Sequence, residues 1–129
     1  MQDLKKCKIL LAEDNRINQR IASLTFNMMG VSIDIASNGQ EALEMYRQNM
    51  YDLIMMDLHM PVMDGMEASR LIRSFEKETN SSHRVFMIAL SASSVSELKD
   101  ECIANGMDDF MEKPFKESEL RNILARKFS

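Results

Sequence analysis

The 129-residue sequence predicts an α/β fold in which a parallel sheet is covered by helices on both faces. Short apolar segments alternate five times with longer segments that have helical periodicity. The segments at 52–57 and 85–91 are apolar at most positions, which is typical of strands buried on both faces. Strictly alternating strands and helices of this kind require right-handed crossovers between parallel strands.

Five strands are predicted, at 8–14, 31–36, 52–57, 85–91 and 109–113. The second, "VSIDIA", alternates between apolar and polar residues, so one of its faces is less buried. This pattern indicates an edge strand. The third, "DLIMMD", is opened by Asp52 at the end away from the other acids.

Each predicted strand is followed by a predicted helix with an apolar face. In the first helix, after Asn15, the apolar side chains Ile17, Ile21, Leu24 and Met28 have the spacing of one helical face, and Gly30 ends the helix. Asn38 and Asp64 are predicted to begin the second and third helices, and Ser94 with Glu97 has the spacing of a capping box for the fourth. The core-facing side chains of the last four helices are predicted to be Ala42, Leu43 and Tyr46; Ala68, Leu71, Ile72 and Phe75; Val95, Leu98 and Cys102; and Leu120, Ile123 and Leu124.

The composition excludes several broad classes of protein. Hydrophobic residues make up 45% and charged residues 28% of the chain, as in ordinary soluble domains, and the length suits one domain spanning 1–129. Sixteen basic against 20 acidic residues give a net charge of −4, so no nucleic-acid partner is expected. We expect this domain to make no membrane contact, because the chain has no apolar run of spanning length and no secretory signal. Its expected location is cytoplasmic, either by itself or as the cytoplasmic part of a membrane-bound sensor kinase. Cys7 and Cys102 fit no zinc or disulfide pattern and are expected to be buried thiols.

Polar side chains stand at the ends of four of the predicted strands. The first strand ends in Glu13 and Asp14, the third in Asp57, the fourth in Ser91 and the fifth in Lys113. Because the carboxyl ends of parallel strands meet at one edge of a sheet, these five side chains are expected to converge there. That edge is where α/β proteins bind ligands.

The residue types at these strand ends are complementary in charge and chemistry. Three carboxylates repel one another unless a cation lies between them. A hard divalent cation fits, so we expect Mg²⁺, with Mn²⁺ as an alternative. Asp57 can act as a covalent nucleophile and form an aspartyl phosphate. Lys113 can neutralise charge on the transferring group, and Ser91 can donate a hydrogen bond to it.

Four blocks at these separations resemble the receiver domains of two-component response regulators, from end to end of the chain: "LLAEDN", "DLIMMDLHMPVMDG", "IALSA" and "FMEKPF". The resemblance implies a flavodoxin-like (βα)5 fold with strand order 2-1-3-4-5. It implies phosphorylation of Asp57 from a phosphohistidine. The implied Mg²⁺ ligands are Glu13, Asp14, Asp57 and the backbone carbonyl of His59.

The resemblance also implies a conformational switch. Ser91 and Lys113 would contact the phosphoryl group, and Phe110 stands at the family's aromatic switch position. Movement of Ser91 and the loop 91–94 toward the phosphoryl group would vacate space that Phe110 fills by changing rotamer. The output surface would then be the fourth helix, fifth strand and fifth helix.

The segment "EDNRINQ" is similar to the receivers of hybrid sensor histidine kinases, in which "DNxxNQ" recurs. The expected partners are accordingly a histidine kinase, a histidine phosphotransfer domain that docks on the first helix, or both. The chain is expected to be either a stand-alone regulator or part of a longer hybrid kinase. It would catalyse its own phosphorylation and dephosphorylation, with no external substrate.

Three other functions fit these residues less well. A phosphatase of the haloacid dehalogenase type needs Asp-x-Asp after the first strand, but here the candidate nucleophile follows the third strand and position 59 is His59. A mononucleotide binder needs a Ser/Thr/Gly loop after the first strand, where "EDNRINQ" is acidic and would repel phosphate. A non-phosphorylated pseudo-receiver would be expected to lack Asp57 or Lys113, and both are present.

Overall fold

The computed structural model describes residues 6–92 and 95–128. Five strands alternate with five helices along the chain. The elements are β1 (Ile9–Ala12), α1 (Arg16–Met28), β2 (Ile33–Ala36), α2 (Gly39–Gln48), β3 (Leu53–Asp57), α3 (Gly65–Glu78), β4 (Phe86–Ser91), α4 (Val95–Ala104), β5 (Asp109–Glu112) and α5 (Glu117–Phe128).

The five strands form one parallel sheet in the order β2-β1-β3-β4-β5, which confirms the predicted α/β fold and strand order. β3 lies at the centre of the sheet and β2 at one edge, as the burial patterns of their sequences indicated. The register places Asp57 of β3 opposite Leu90 of β4, and Ser91 opposite Glu112 of β5. The polar strand ends therefore meet at one edge of the sheet.

Alternate strand residues face two separate hydrophobic clusters, one on each side of the sheet. The cluster beneath α2, α3 and α4 includes Ile54, Met56 and Phe110. The cluster beneath α1 and α5 includes Leu53 and Met55. Cys102 belongs to the first cluster and Cys7 to the second, and both side chains are buried as expected. Burial of both faces explains why the central strands are apolar at successive positions.

The orientation of α1 differs from the apolar pattern of its sequence. Its apolar stripe faces solvent, with exposed fractions of 70% for Ile17, 47% for Ile21, 56% for Leu24 and 81% for Met28. Ala22 and Phe26 are buried instead, and the Phe26 ring packs against Phe115 with 5.9 Å between ring centroids. These two contacts with the sheet and the β5–α5 segment fix which face of α1 turns inward, so a second apolar face remains outside.

The predicted helix starts and core faces are otherwise largely confirmed. The side chains of Asn38 and Asp64 accept hydrogen bonds from Glu41 N and Glu67 N, as N-caps do. The predicted core positions of α2 and α5 are buried, as are Ala68, Ile72 and Cys102. Leu71, Phe75 and Leu98 are half-buried against the first cluster.

Some expectations fall on residues that the structure leaves undescribed. The Ser94–Glu97 capping box, the Val95 side chain and positions 93–94 of the expected switch loop lie outside the described residues. Within the described part of the chain, no helix has both the length and the apolar character needed to cross a bilayer.

Candidate functional site

The β1–α1 turn supplies two carboxylates of very different exposure. Glu13 is 1% exposed, and its Oε1 accepts a hydrogen bond from Lys113 Nζ at 3.0 Å while Oε2 accepts from Asn15 N at 3.0 Å. Asp14 is exposed. Among the described residues, its carboxylate forms no hydrogen bond or ion pair. One acid is thus held by the protein, while its neighbour is open to solvent.

Asp57 is the last residue of β3, and its carboxylate is almost fully enclosed. Its Oδ2 accepts from Lys113 Nζ at 3.0 Å and its Oδ1 accepts from His59 N at 3.2 Å. The first residue of α3 lies against the backbone of Asp57. A Cβ added to Gly65 would stand 2.3 Å from the Asp57 carbonyl oxygen, so this approach requires glycine.

Lys113 follows β5 and joins the two buried carboxylates. Its backbone N–H donates to Ser91 O at 2.8 Å, which holds the end of β5 beside β4. Burial lowers the pKa of Lys113, but the hydrogen bonds and negative charges of Asp57 and Glu13 outweigh burial and raise that pKa above its ordinary value. The side chain is therefore a cation at neutral pH.

Ser91 and Phe110 are both buried near this edge. Ser91 is the last residue of β4 and is fully enclosed. Phe110 lies in β5 opposite Ala89, is 6% exposed and packs in the cluster beneath α2, α3 and α4. The structure thus brings Ser91 to the same edge as the acids. Phe110 instead lies within the hydrophobic core beneath α2, α3 and α4.

The convergence of Glu13, Asp14 and Asp57 fits a divalent cation. One carboxylate oxygen of each residue lies within 4.8 Å of those of the other two. Lys113 balances only one of the three negative charges. Carboxylate oxygens are the ligands that Mg²⁺ prefers. The side chain of His59 is exposed, and its backbone lies beside Asp57.

One residue at this edge was not anticipated from the sequence. Gln19 Nε2 donates to the backbone carbonyl of Glu13 at 2.6 Å. Asn15 is the N-cap of α1, and its side chain accepts from Asn18 N at 3.0 Å. The only sign of Gln19 in the sequence was its place in the "EDNRINQ" segment. Neither spacing nor residue type reveals that a side chain of α1 hydrogen-bonds the backbone of the preceding turn.

Comparison with known proteins agrees with this geometry. Residues 9–125 match the model of the response regulator receiver domain. The chain belongs to the response regulator receiver family. Receiver domains act in two-component phosphorelays together with histidine kinases and phosphotransfer proteins.

The curated relatives of this receiver domain are much longer proteins. Hybrid signal transduction histidine kinase F of Dictyostelium discoideum is 41% identical over 119 residues, which cover 92% of this chain and 11% of that protein. The chain spans less than a fifth of the length of the first curated relatives it matches.

Solved structures of other receiver domains are closely similar. A chain in the co-crystal structure of the Saccharomyces cerevisiae phosphotransfer protein Ypd1 with the receiver domain of Ssk1 superposes with a TM-score of 0.87 and 33% identity, covering 96% of this chain and 90% of that one. The Mg²⁺-complexed receiver domain of the Arabidopsis thaliana histidine kinase CKI1 gives a TM-score of 0.83 and 32% identity, covering 97% and 94%.

Proposed function

We propose that this receiver domain accepts a phosphoryl group from a phosphohistidine onto Asp57 in a Mg²⁺-dependent reaction. The observation that carries the proposal is the position of Lys113 Nζ, which lies 3.0 Å from both Asp57 and Glu13 within the cluster of three acids. A pseudo-receiver that only binds a partner has no need of this arrangement.

The transfer follows from the groups present at the carboxyl edge of the sheet. An oxygen of the Asp57 carboxylate forms a bond to phosphorus, and the phosphorus–nitrogen bond to the donor histidine breaks. The electron pair of that bond stays on the imidazole, which takes up a proton. Lys113 neutralises charge on the phosphoryl oxygens, and the Ser91 hydroxyl donates a hydrogen bond to one of them.

Glu13, Asp14, Asp57 and the backbone carbonyl of His59 would hold the metal ion, which would be Mg²⁺ or Mn²⁺. Bound there, the ion supplies positive charge to the oxygens of the transferring group. The Mg²⁺-complexed receiver of CKI1, with 32% identity to this chain, supports the choice of metal.

The proposed output is a rearrangement of Ser91 and Phe110. A phosphoryl group on Asp57 gives the Ser91 hydroxyl a charged acceptor, which draws the end of β4 inward. Phe110 is buried in the adjacent strand and has no hydroxyl, so it responds by packing alone. The α4–β5–α5 surface would report this change.

The exposed apolar stripe on α1 suits a histidine phosphotransfer domain as the docking partner. Ile17, Ile21, Leu24 and Met28 follow directly after the acidic turn, so a phosphotransfer domain docked on them would hold its phosphohistidine near Asp57. The Ypd1–Ssk1 complex supports this class of partner. We further propose that the domain is the cytoplasmic receiver of a hybrid histidine kinase. A stand-alone regulator is the alternative.

The test is incubation with phosphoramidate, with and without Mg²⁺, followed by intact-mass measurement. The wild type is expected to gain one phosphoryl group only when Mg²⁺ is present, and Asp57→Asn to gain none. Asp52→Asn is the matched control, because Asp52 directly precedes the same strand at the end away from the site and accepts from Lys8 N. Phosphorylation that survives Asp57→Asn, or that needs no metal, contradicts the proposal.

A further inference from the structure

The side chain of Gln19 joins α1 to the β1–α1 turn that precedes it. Gln19 lies at the end of the first turn of the helix and is half-buried. Its backbone N–H donates to Asn15 O at 2.9 Å, as in a regular helix, while its side-chain Nε2 turns back and donates to Glu13 O at 2.6 Å. This contact lies at the acidic turn.

The carbonyl that Gln19 holds belongs to the peptide between Glu13 and Asp14. Because a peptide unit is planar, fixing its oxygen fixes the direction in which the chain enters Asp14. The remaining groups of Glu13 are also held, since its N–H donates to Ala36 O at 3.0 Å and its carboxylate accepts from Asn15 N and Lys113 Nζ. The Glu13 carbonyl, which begins the peptide bond to Asp14, is held by Gln19.

Asp14 depends on this backbone more than the other two acids do. Glu13 and Asp57 are buried and hydrogen-bonded through their carboxylates, whereas the Asp14 side chain is exposed. Among the residues that the structure describes, no donor contacts its carboxylate. The position from which Asp14 can reach a cation is therefore set by its main chain.

We propose that Gln19 is a positioning residue for divalent cation binding, which acts by orienting the Glu13–Asp14 peptide and thereby the carboxylate of Asp14. The inference rests on the proposed Mg²⁺ site. It gives the "EDNRINQ" segment a physical basis, because Asn15 caps the helix through Asn18 N and Gln19 fixes the peptide between the two acids.

The decisive variant is Gln19→Met, which keeps the length of the side chain and removes the donor. The Kd for Mg²⁺, measured by chemical-shift titration of backbone amides, is expected to rise about five-fold, the equivalent of one ordinary hydrogen bond. The Mg²⁺ concentration for half-maximal phosphorylation by phosphoramidate is expected to rise by the same factor. The rate at saturating Mg²⁺ is expected to stay within about two-fold of the wild type, since Asp57 and Lys113 are unchanged.

Gln40→Met is the matched control. Gln40 lies on α2 and donates to Glu44 on its own helix at 3.1 Å, so its loss is expected to leave the Kd unchanged. Gln19→Ala repeats the test with the residue that has the highest helix propensity, so that α1 still forms when the hydrogen bond is lost. Urea unfolding without metal measures the stability of each variant.

The outcomes separate this inference from the proposed function. A wild type that binds no Mg²⁺ overturns both. A wild type that binds Mg²⁺, with Gln19→Met and Gln19→Ala variants that bind it equally well, overturns the role of Gln19 alone, even where the variants are less stable. Such a result would mean that Gln19 stabilises the start of α1 and has no effect on metal binding.

Discussion

The two ends of the parallel sheet each hold a cluster of charged side chains, and the two clusters differ in their balance of charge. We call Glu13, Asp14, Asp57 and Lys113 the carboxyl-edge cluster; it sets three carboxylates against one ammonium. The amino-edge cluster lies at the other end of the strands. It sets two carboxylates against two guanidinium groups, from Glu76, Asp108, Arg73 and Arg84.

The amino-edge cluster is fully satisfied by the protein itself. Glu76 is 8% exposed and accepts from Tyr46 Oη at 2.5 Å, Arg73 at 2.8 Å and Val85 N at 2.9 Å. Burial raises the pKa of Tyr46, and the hydrogen bond and charge of Glu76 raise it further, so the phenol remains a donor. Asp108 accepts from both guanidinium groups and from a backbone N–H.

This difference separates a structural cluster from the proposed binding site. A buried carboxylate with enough donors stabilises the packing of the helices and strands that supply them. A surplus of negative charge costs stability until a cation neutralises it. The amino edge therefore resembles a structural tie between α2, α3 and β4, whereas the carboxyl edge carries the surplus of negative charge that the proposed cation site requires.

The largest effect on stability is expected at the amino edge. Glu76→Gln removes the charge that accepts hydrogen bonds from Arg73, Tyr46 and Val85 N and leaves Arg73 paired with Asp108 alone. The free energy of unfolding is expected to fall by about 2 kcal/mol. Glu78→Gln is the matched control on the same helix, and because Glu78 is exposed its effect should lie within about 0.5 kcal/mol. Urea unfolding in the presence of a chelator measures both. Equal effects of the two variants would remove the structural role assigned to Glu76.

Metal addition is expected to act only through the carboxyl edge. Mg²⁺ at ten times its Kd should raise the free energy of unfolding of the wild type by about 1.4 kcal/mol. Glu76→Gln should keep this increment and Asp57→Asn should lose most of it. Urea unfolding with and without Mg²⁺ makes the comparison. An increment that persists in Asp57→Asn would show that the metal binds elsewhere.

The smallest effect concerns backbone strain, which also differs between the ends. Val62, in the loop after β3, has a φ of 70°. It is the central residue of a turn in which Met63 N donates a hydrogen bond to Pro61 O at 2.7 Å. A β-branched residue is strained in that conformation. At the other end Asn80 has a φ of 53° at the C-terminus of α3, where asparagine is tolerated.

Val62→Gly is therefore expected to raise the free energy of unfolding by about 1 kcal/mol. The converse change, Asn80→Val, introduces the same strain at the amino edge and should lower it by a similar amount, about 1 kcal/mol. Urea unfolding of the two variants tests the pair. A loss of stability in Val62→Gly would mean that the valine side chain contributes more than its backbone costs.

The accuracy of the sequence predictions followed the number of constraints on each residue. The strands β3 and β4 were predictable because they are buried on both faces, which leaves an apolar run with few alternatives. The meeting of Glu13, Asp57 and Lys113 followed from the strand ends, because a parallel sheet aligns them. Helix α1 was harder, since two of its faces are apolar and only contacts with Ala22 and Phe26 select the inner one.

The sequence alone determined the parallel α/β fold and the edge of the sheet at which the acids gather, because these follow from periodicity and from which residues end each strand. It also indicated the family and the strand order, through its resemblance to receiver domains. Only the tertiary structure decided how those groups are held. It shows that Lys113 binds two carboxylates and that Gln19 donates a hydrogen bond to the peptide between Glu13 and Asp14. It also shows that Glu76 is buried. These contacts join residues through side-chain rotamers and helix orientation, which depend on neighbours distant in the chain and leave no periodic trace in the sequence.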